Sequence, residues 1–252
     1  MLNYSISGEG NSLVFLHGFL ESNTMWDHLK LEQLPYQKIF IELPGHGRSR
    51  LLANSVDPSL AYFADEVKGI LAFLNIENFS IIGHSLGAYV ALILKEQLLE
   101  CEKVVLLNSN FWSDDEQKKK DRLRVAEIAF KAKKVFINEA IPNLFGKVEL
   151  YSGEIAELKE EAMKIKPETI AYSALAMRQR KDFSSMIAEN PSDFYIIHGD
   201  LDRLVTTEFL IQKSTPIFLD KLNTHVFLII NSGHMAHIEA REQVLQILVS
   251  LF

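Results

Sequence analysis

A single cysteine, Cys101, stands among the 252 residues. That excludes an intrachain disulfide and any multi-cysteine metal site. Basic residues are in the minority: 26 Lys and Arg against 33 Asp and Glu give a net charge of −7. An acidic chain is poorly suited to gripping nucleic-acid phosphates or anionic membranes, so no nucleic acid is expected as a partner. No apolar run nears the roughly 18 residues of a membrane span. The opening Met1-Leu2-Asn3-Tyr4-Ser5 has neither a basic stretch nor an apolar core of a secretory signal. The expectation is a cytoplasmic protein without integral membrane contact. With 12 Gly and 7 Pro, the chain is neither collagen-like nor low-complexity. What is present is ordinary globular material, 48% hydrophobic and 23% charged. It suffices for one large domain, or for one with a modest insertion.

From Leu2 to about Asn110, short apolar runs alternate with amphipathic stretches. The runs are Leu13–Leu16, Lys38–Ile41, Phe79–Ile82 and Lys103–Leu107, closed respectively by His17-Gly18, by Pro44-Gly45, by Gly83 and by Asn108-Ser109-Asn110. Such runs read as buried parallel strands. Helices are predicted at Met25–Leu34, Leu60–Leu74 and Leu86–Leu99. In the second, Leu60, Phe63, Ala64, Val67, Ile70, Leu71 and Leu74 share one helix face. Strand and helix in alternation predict an α/β fold with helices on both faces of a sheet. After Pro191 the alternation returns, with strands at Phe194–Ile197 and His225–Ile230 and a closing helix at Glu239–Leu248.

Between them, residues 111–191 lose the strand period. Ser113-Asp114-Asp115-Glu116 reads as a capping box ahead of a long helix carrying Leu123, Ile128, Phe130 and Val135. Ser152–Ile165 and Pro167–Arg180 read as two more helices. Lys118-Lys119-Lys120 is read as a solvated helix face. The domains expected are thus a core of residues 1–110 and 192–252 and a helical insertion of residues 111–191.

Gly83-His84-Ser85-Leu86-Gly87 stands between a strand and an apolar helix. A sharp strand-to-helix turn needs small residues on either side, and it lifts the serine hydroxyl clear of the sheet. Ser85 is therefore the candidate nucleophile. A hydroxyl needs a base, and His234 follows the last strand in Ser232-Gly233-His234; it is preferred to His237. An imidazole base needs a carboxylate, and the loop after Gly199 offers Asp200 and Asp202. Asp202, further out of its strand, is favoured, while Asp200 is assigned to loop amides. No further acidic residue nearby completes a cation site, so no metal is expected. The oxyanion donors expected are the backbone N–H groups of Leu86 and of Phe19, in the loop after Leu13–Leu16. His17 is read as a loop residue, His84 as pointing away from the Ser85 hydroxyl, and His28 and His225 as surface or capping residues.

Together these segments resemble the α/β-hydrolase superfamily over nearly the whole chain. The His17-Gly18-Phe19 loop, Leu43-Pro44-Gly45-His46-Gly47-Arg48-Ser49, the Gly83–Gly87 elbow, Gly199 to Asp202 and Gly233-His234 fall in its order. The Pro-Gly-His-Gly-x-Ser segment is similar to that of small esterases, haloperoxidase-like proteins and a menaquinone-pathway synthase. The resemblance implies an eight-stranded, mostly parallel sheet with the insertion as a cap after the sixth strand. Epoxide hydrolases and haloalkane dehalogenases of the superfamily carry Asp where Ser85 stands. The synthase usually carries Arg soon after its elbow, where this chain has Ala88-Tyr89-Val90.

The function expected is hydrolysis of a small or medium carboxylic ester or thioester through an acyl-serine, with a small-molecule substrate and no cofactor. Phe111, Trp112, Phe130, Phe136, Phe145 and Met177 are the candidates for an acyl pocket. The alternatives are a lyase, acyltransferase or perhydrolase on the same three residues, or a slow-turnover ligand receptor. Polar groups facing the pocket would favour a charged substrate; Arg122, Arg124, Arg178 and Arg180 are available but are read as surface residues.

Overall fold

A computed structural model describes residues 1–52, 57–218 and 221–252. Its sheet contains β1 (Tyr4–Ser7), β2 (Ser12–Leu16), β3 (Gln37–Ile41), β4 (Phe79–His84), β5 (Cys101–Leu107), β6 (Phe194–Gly199) and β7 (Val226–Ile229). The order across the sheet is β1-β3-β2-β4-β5-β6-β7. All neighbours are parallel except β1, which runs antiparallel to β3. Seven strands among the described residues replace the eight expected, and the helical insertion follows the fifth strand rather than the sixth. The sequence reading missed β1, an edge strand whose exposed Ser5, Ile6 and Ser7 carry no apolar alternation.

Because successive side chains of a strand point to opposite faces, each central strand feeds two cores. Val14, Leu16, Ile81, Val104 and Leu106 pack with α1 (Leu60–Phe73), α2 (Leu86–Gln97) and α7 (Thr207–Phe218) on one face. Leu13, Phe15, Ile82, Val105 and Leu107 pack on the other, against Met25, Trp26 and α10 (Arg241–Leu251). The expected helix at Met25–Leu34 is instead two tight turns, Asn23–His28 and Leu31–Gln33. After the short α8 (Leu222–His225), the closing helix divides at Ala240 into α9 (Ala236–Glu239) and α10.

Between β5 and β6 lie α3 (Glu116–Ala140), α4 (Ser152–Lys164), α5 (Pro167–Arg178) and α6 (Ser184–Glu189). α3 is capped by Asp115, whose Oδ1 accepts from the Lys118 N–H at 2.7 Å, and not by Ser113. Asp114 is diverted to a buried ion pair with Arg180. α3 breaks at Ala132, where φ is −154° and ψ is 45°. Its buried face is Ala126, Ala129 and Ile137, whereas Leu123, Phe130 and Val135 are exposed. That face joins Ile155, Leu158, Ala162 and Ile170 in a third core, closed from below by Leu20, Met235 and Ile238. The helices therefore rest on the loops that leave β2 and β7. Among the described residues, no helix is long and apolar enough to cross a membrane.

Candidate active site

Five parallel strands deliver polar residues to their carboxyl ends, the edge where open α/β sheets collect ligands. At the end of β4 the chain turns so sharply that Ser85 has φ of 48° and ψ of −110°. The left-handed φ is costly for a serine and persists only where its surroundings hold it. The turn has no room beside it: a Cβ on Gly83 would stand 2.5 Å from Ala88 N. A Cβ on Gly87 would run into the carbonyl of Leu16. The Ser85 N–H donates to Leu107 O at 3.0 Å, and the Ser109 hydroxyl donates to Ser85 O at 2.9 Å. Leu86 opens α2, where first-turn N–H groups have no helical acceptor.

His234 and Asp202 meet across the loops after β7 and β6. His234 Nδ1 donates to Asp202 Oδ2 at 2.7 Å, and the Asp202 side chain is fully buried. Asp202 Oδ1 accepts from the N–H groups of Leu204 and Val205 at 2.8 and 3.1 Å. Burial alone would raise its pKa; the charge and hydrogen bond of His234 and the further donors overcome that and bring it down to about 2. Asp200 turns instead to the Ser232 N–H, at 3.3 Å. Among the described residues, no group of three or more His, Cys, Asp or Glu side chains is arranged to hold a metal ion. Burial pushes the Cys101 thiol up to about 12, so it is no competing nucleophile.

Ser85 and His234 line one cavity of about 330 Å³, together with Phe19, Tyr89, Phe136, Met177 and Arg180. Of the six proposed acyl-pocket residues, the structure brings Phe136 and Met177 to it. Phe111 and Trp112 are buried in the sheet-side core and Phe145 in the helical one, while Phe130 is 60% exposed. These four do not line the cavity: Phe111, Trp112 and Phe145 are packed among core residues, and Phe130 faces solvent.

Two of the arginines read as surface residues belong to the cavity wall. Arg180 is buried, stacks 4.3 Å from the centre of the Tyr89 ring, donates to Trp112 O at 2.9 Å and pairs with Asp114 at 2.6 Å. Asp114 also accepts from Arg122 Nε at 3.2 Å, so one carboxylate serves two guanidiniums. Lys118 of the lysine run lines the same cavity. Helical periodicity carries no signal for an ion pair between residues 114 and 180.

The remaining histidines divide by environment. His17 accepts from the Leu43 N–H at Nε2 (3.0 Å) and donates from Nδ1 to Gly18 O (2.8 Å), so it is a neutral loop brace. His225 is buried against Tyr195 and Phe218 rather than at the surface. His237 is fully buried beside Trp26 and His84. Sequence reasoning missed Asn108, whose Nδ2 donates to Asp202 Oδ2 at 3.3 Å and to Gly233 O at 3.0 Å. In the sequence it marks only the end of a strand.

A model of the Alpha/beta hydrolase family matches residues 13–247. Over 251 residues the chain is 25% identical to the (E)-2-((N-methylformamido)methylene)succinate hydrolase of Acinetobacter baylyi, covering 97% of this chain and 91% of that protein. It is 36% identical to an uncharacterized protein of Mycobacterium tuberculosis over 91 residues, 35% of this chain but only 26% of that relative's length. A thermophilic esterase from Thermogutta terrifontis superposes with a TM-score of 0.85 at 23% identity, over 99% of this chain and 92% of that one.

Proposed function

The chain belongs to the alpha/beta hydrolase family, and on that premise we propose that it is a serine hydrolase cleaving a small or medium carboxylic ester or thioester. The observation that carries the reading is the strained Ser85 turn opening on the same cavity as His234, whose Nδ1 is held by Asp202 at 2.7 Å. With Nδ1–H committed to the carboxylate, the lone pair of His234 is on Nε2. That nitrogen takes the proton as Ser85 Oγ attacks the acyl carbon. The Phe19 and Leu86 N–H groups receive the negative charge on the carbonyl oxygen. Collapse expels the alcohol or thiol, which takes the proton from His234, and water repeats the sequence on the acyl-serine. No step calls on a cofactor. Residues 111–191 act as a cap over the core of residues 1–110 and 192–252, and Phe136 and Met177 contact the acyl group.

A fluorophosphonate reagent tests this directly. Mass spectrometry should find the adduct on the peptide containing Ser85, and Ser85→Ala should abolish it. Labelling that survives the substitution unchanged would overturn the assignment.

The shared carboxylate of Asp114 favours a second reading of the substrate. Lys118, Arg122 and Arg180 against Asp114 and Asp121 leave one net positive charge in this part of the cavity wall. That charge suits an acidic substrate, such as the succinate derivative named for the Acinetobacter relative. It also keeps open a lyase, acyltransferase or perhydrolase outcome on the same three residues. Ester hydrolysis and elimination are separated by product analysis with neutral and carboxylate-bearing esters.

A further inference from the structure

Two buried charged residues outside the proposed triad meet at its centre. Glu21 ends the loop that leaves β2, and His84 immediately precedes Ser85. Glu21 Oε2 accepts from the Gly18 N–H at 2.6 Å and from His84 Nδ1 at 2.8 Å. From the other edge of the ring, His84 Nε2 donates to the backbone carbonyl of His234 at 2.9 Å. Carboxylate and carbonyl oxygens only accept, so both ring nitrogens carry protons and His84 is an imidazolium. The side chains of His84 and Glu21 are only 1% and 2% exposed. Burial works to lower the His84 pKa, but the charge and hydrogen bond of Glu21 outweigh it and the net shift is upward.

The other groups around this ring do not replace Glu21. The rings of His234 and His237 lie 5.1 and 4.8 Å away, centre to centre. Burial first, then neighbouring imidazoles, holds His237 and His17 well below the ordinary histidine range, so both are neutral. Asp202 adds only a lesser negative charge to the field at His84.

A buried ion pair is an inefficient source of stability, because desolvation offsets most of its attraction. What this pair does is geometric. The proposed chemistry needs three separate segments in register: the loop presenting the Phe19 N–H, the turn presenting Ser85, and the loop presenting His234. Glu21 holds the first through Gly18, His84 is covalently next to the second, and its Nε2–H grips the third. The contact is close enough that a Cβ on Gly18 would stand 2.6 Å from His84 Nδ1.

We propose that Glu21 and His84 are the positioning pair of this site, one buried carboxylate–imidazolium contact that locks the oxyanion loop, the serine turn and the histidine loop to each other. The role rests on the acyl-serine reading above. It is tested in the full-length protein with Glu21→Gln, which keeps the shape and one acceptor where Glu21→Ala would risk the fold. Side-chain ¹⁵N NMR at about pH 7, just above the ordinary histidine value, should show His84 protonated on both nitrogens in the wild type. The double protonation should disappear in Glu21→Gln. In the same variant, kcat for a p-nitrophenyl ester should fall about tenfold to a hundredfold, the scale expected of reacting groups misplaced by about 1 Å, with KM moving less than about threefold. A singly protonated His84 in the wild type overturns the proposal, and so does a folded Glu21→Gln variant with wild-type kcat. Failure of the serine reading looks different: wild-type Ser85 then takes no fluorophosphonate, which removes the positioning role while the NMR signal of the ion pair remains.

Discussion

At Asp202 two opposing effects meet, and their balance can be measured. Burial penalises its charge, yet His234, the Leu204 and Val205 amides and Asn108 bind the ionised form, and the pKa settles at about 2. A carboxylate with a depressed folded-state pKa contributes stability that is present above its unfolded pKa and lost as pH falls through the folded one. Here the window runs from about pH 4 down to about pH 2, and the contribution is roughly 2 kcal/mol. Denaturant melts at about pH 6 and pH 2.5 should show wild type losing more stability than Asp202→Asn over that interval. The same substitution should cut turnover by about three to four orders of magnitude, since an amide no longer selects the Nδ1–H tautomer of His234. Asp200→Asn, which disturbs only the bond from the Ser232 N–H, should cost far less. The opposite ranking would move the acid to Asp200.

The sequence was most readable where one local rule decides an element. Short apolar runs, most of them closed by Gly or Pro, mark β2 to β6, because a strand buried on both faces has little other composition available. The glycines around Ser85 were legible for the same local reason: no Cβ fits there. Elements decided by partners distant in the chain were not legible. β1 has no apolar pattern and exists through its ladder with β3. The start of α3 differs from the capping box that Ser113-Asp114-Asp115-Glu116 spells, because Arg180, 66 residues beyond Asp114 in the chain, claims that carboxylate and leaves Asp115 to cap. Within the site, Ser85, Asp202 and His234 could be named from strand-end positions. Glu21, Asn108 and Arg180 could not, because their meaning lies in contacts that no periodicity encodes. The cap assignment has its own test. Asp115→Ala should destabilise the protein by about 1 kcal/mol, and Ser113→Ala should stay within about 0.5 kcal/mol. Thermal or urea unfolding reads both, and equal effects would restore the capping box.

At the scale of the molecule, the proposed division of work follows the architecture: Ser85, Asp202 and His234 stand on strand-end loops, and residues 111–191 supply much of the cavity wall, including Arg122, Phe136, Met177 and Arg180. The wall is mixed in character. Phe136 and Met177 offer apolar surface, while Arg122 has only its Nε engaged by Asp114 and Arg180 is fixed by Trp112, Asn110 and Tyr89. The two kinds of surface make separable demands on an ester. Phe136→Ala should shift chain-length preference among neutral p-nitrophenyl esters by about tenfold to a hundredfold, the worth of one or two buried methylenes. Arg122→Gln should leave those neutral esters nearly unaffected. It should lower kcat/KM for an ester bearing a free carboxylate by about tenfold to a hundredfold, the range of a charge-assisted hydrogen bond. Trp112→Ala makes the contrast, since Trp112 packs on Phe111 and Phe209 away from the cavity: it should reduce stability and leave both preferences in place. Fluorophosphonate labelling of Ser85 should persist in all three variants, because a small reagent needs the sheet edge and not the wall. If Phe136→Ala or Arg122→Gln abolished labelling in folded protein, the helical segment would hold part of the reacting machinery, and the division between chemistry below and selection above would be wrong.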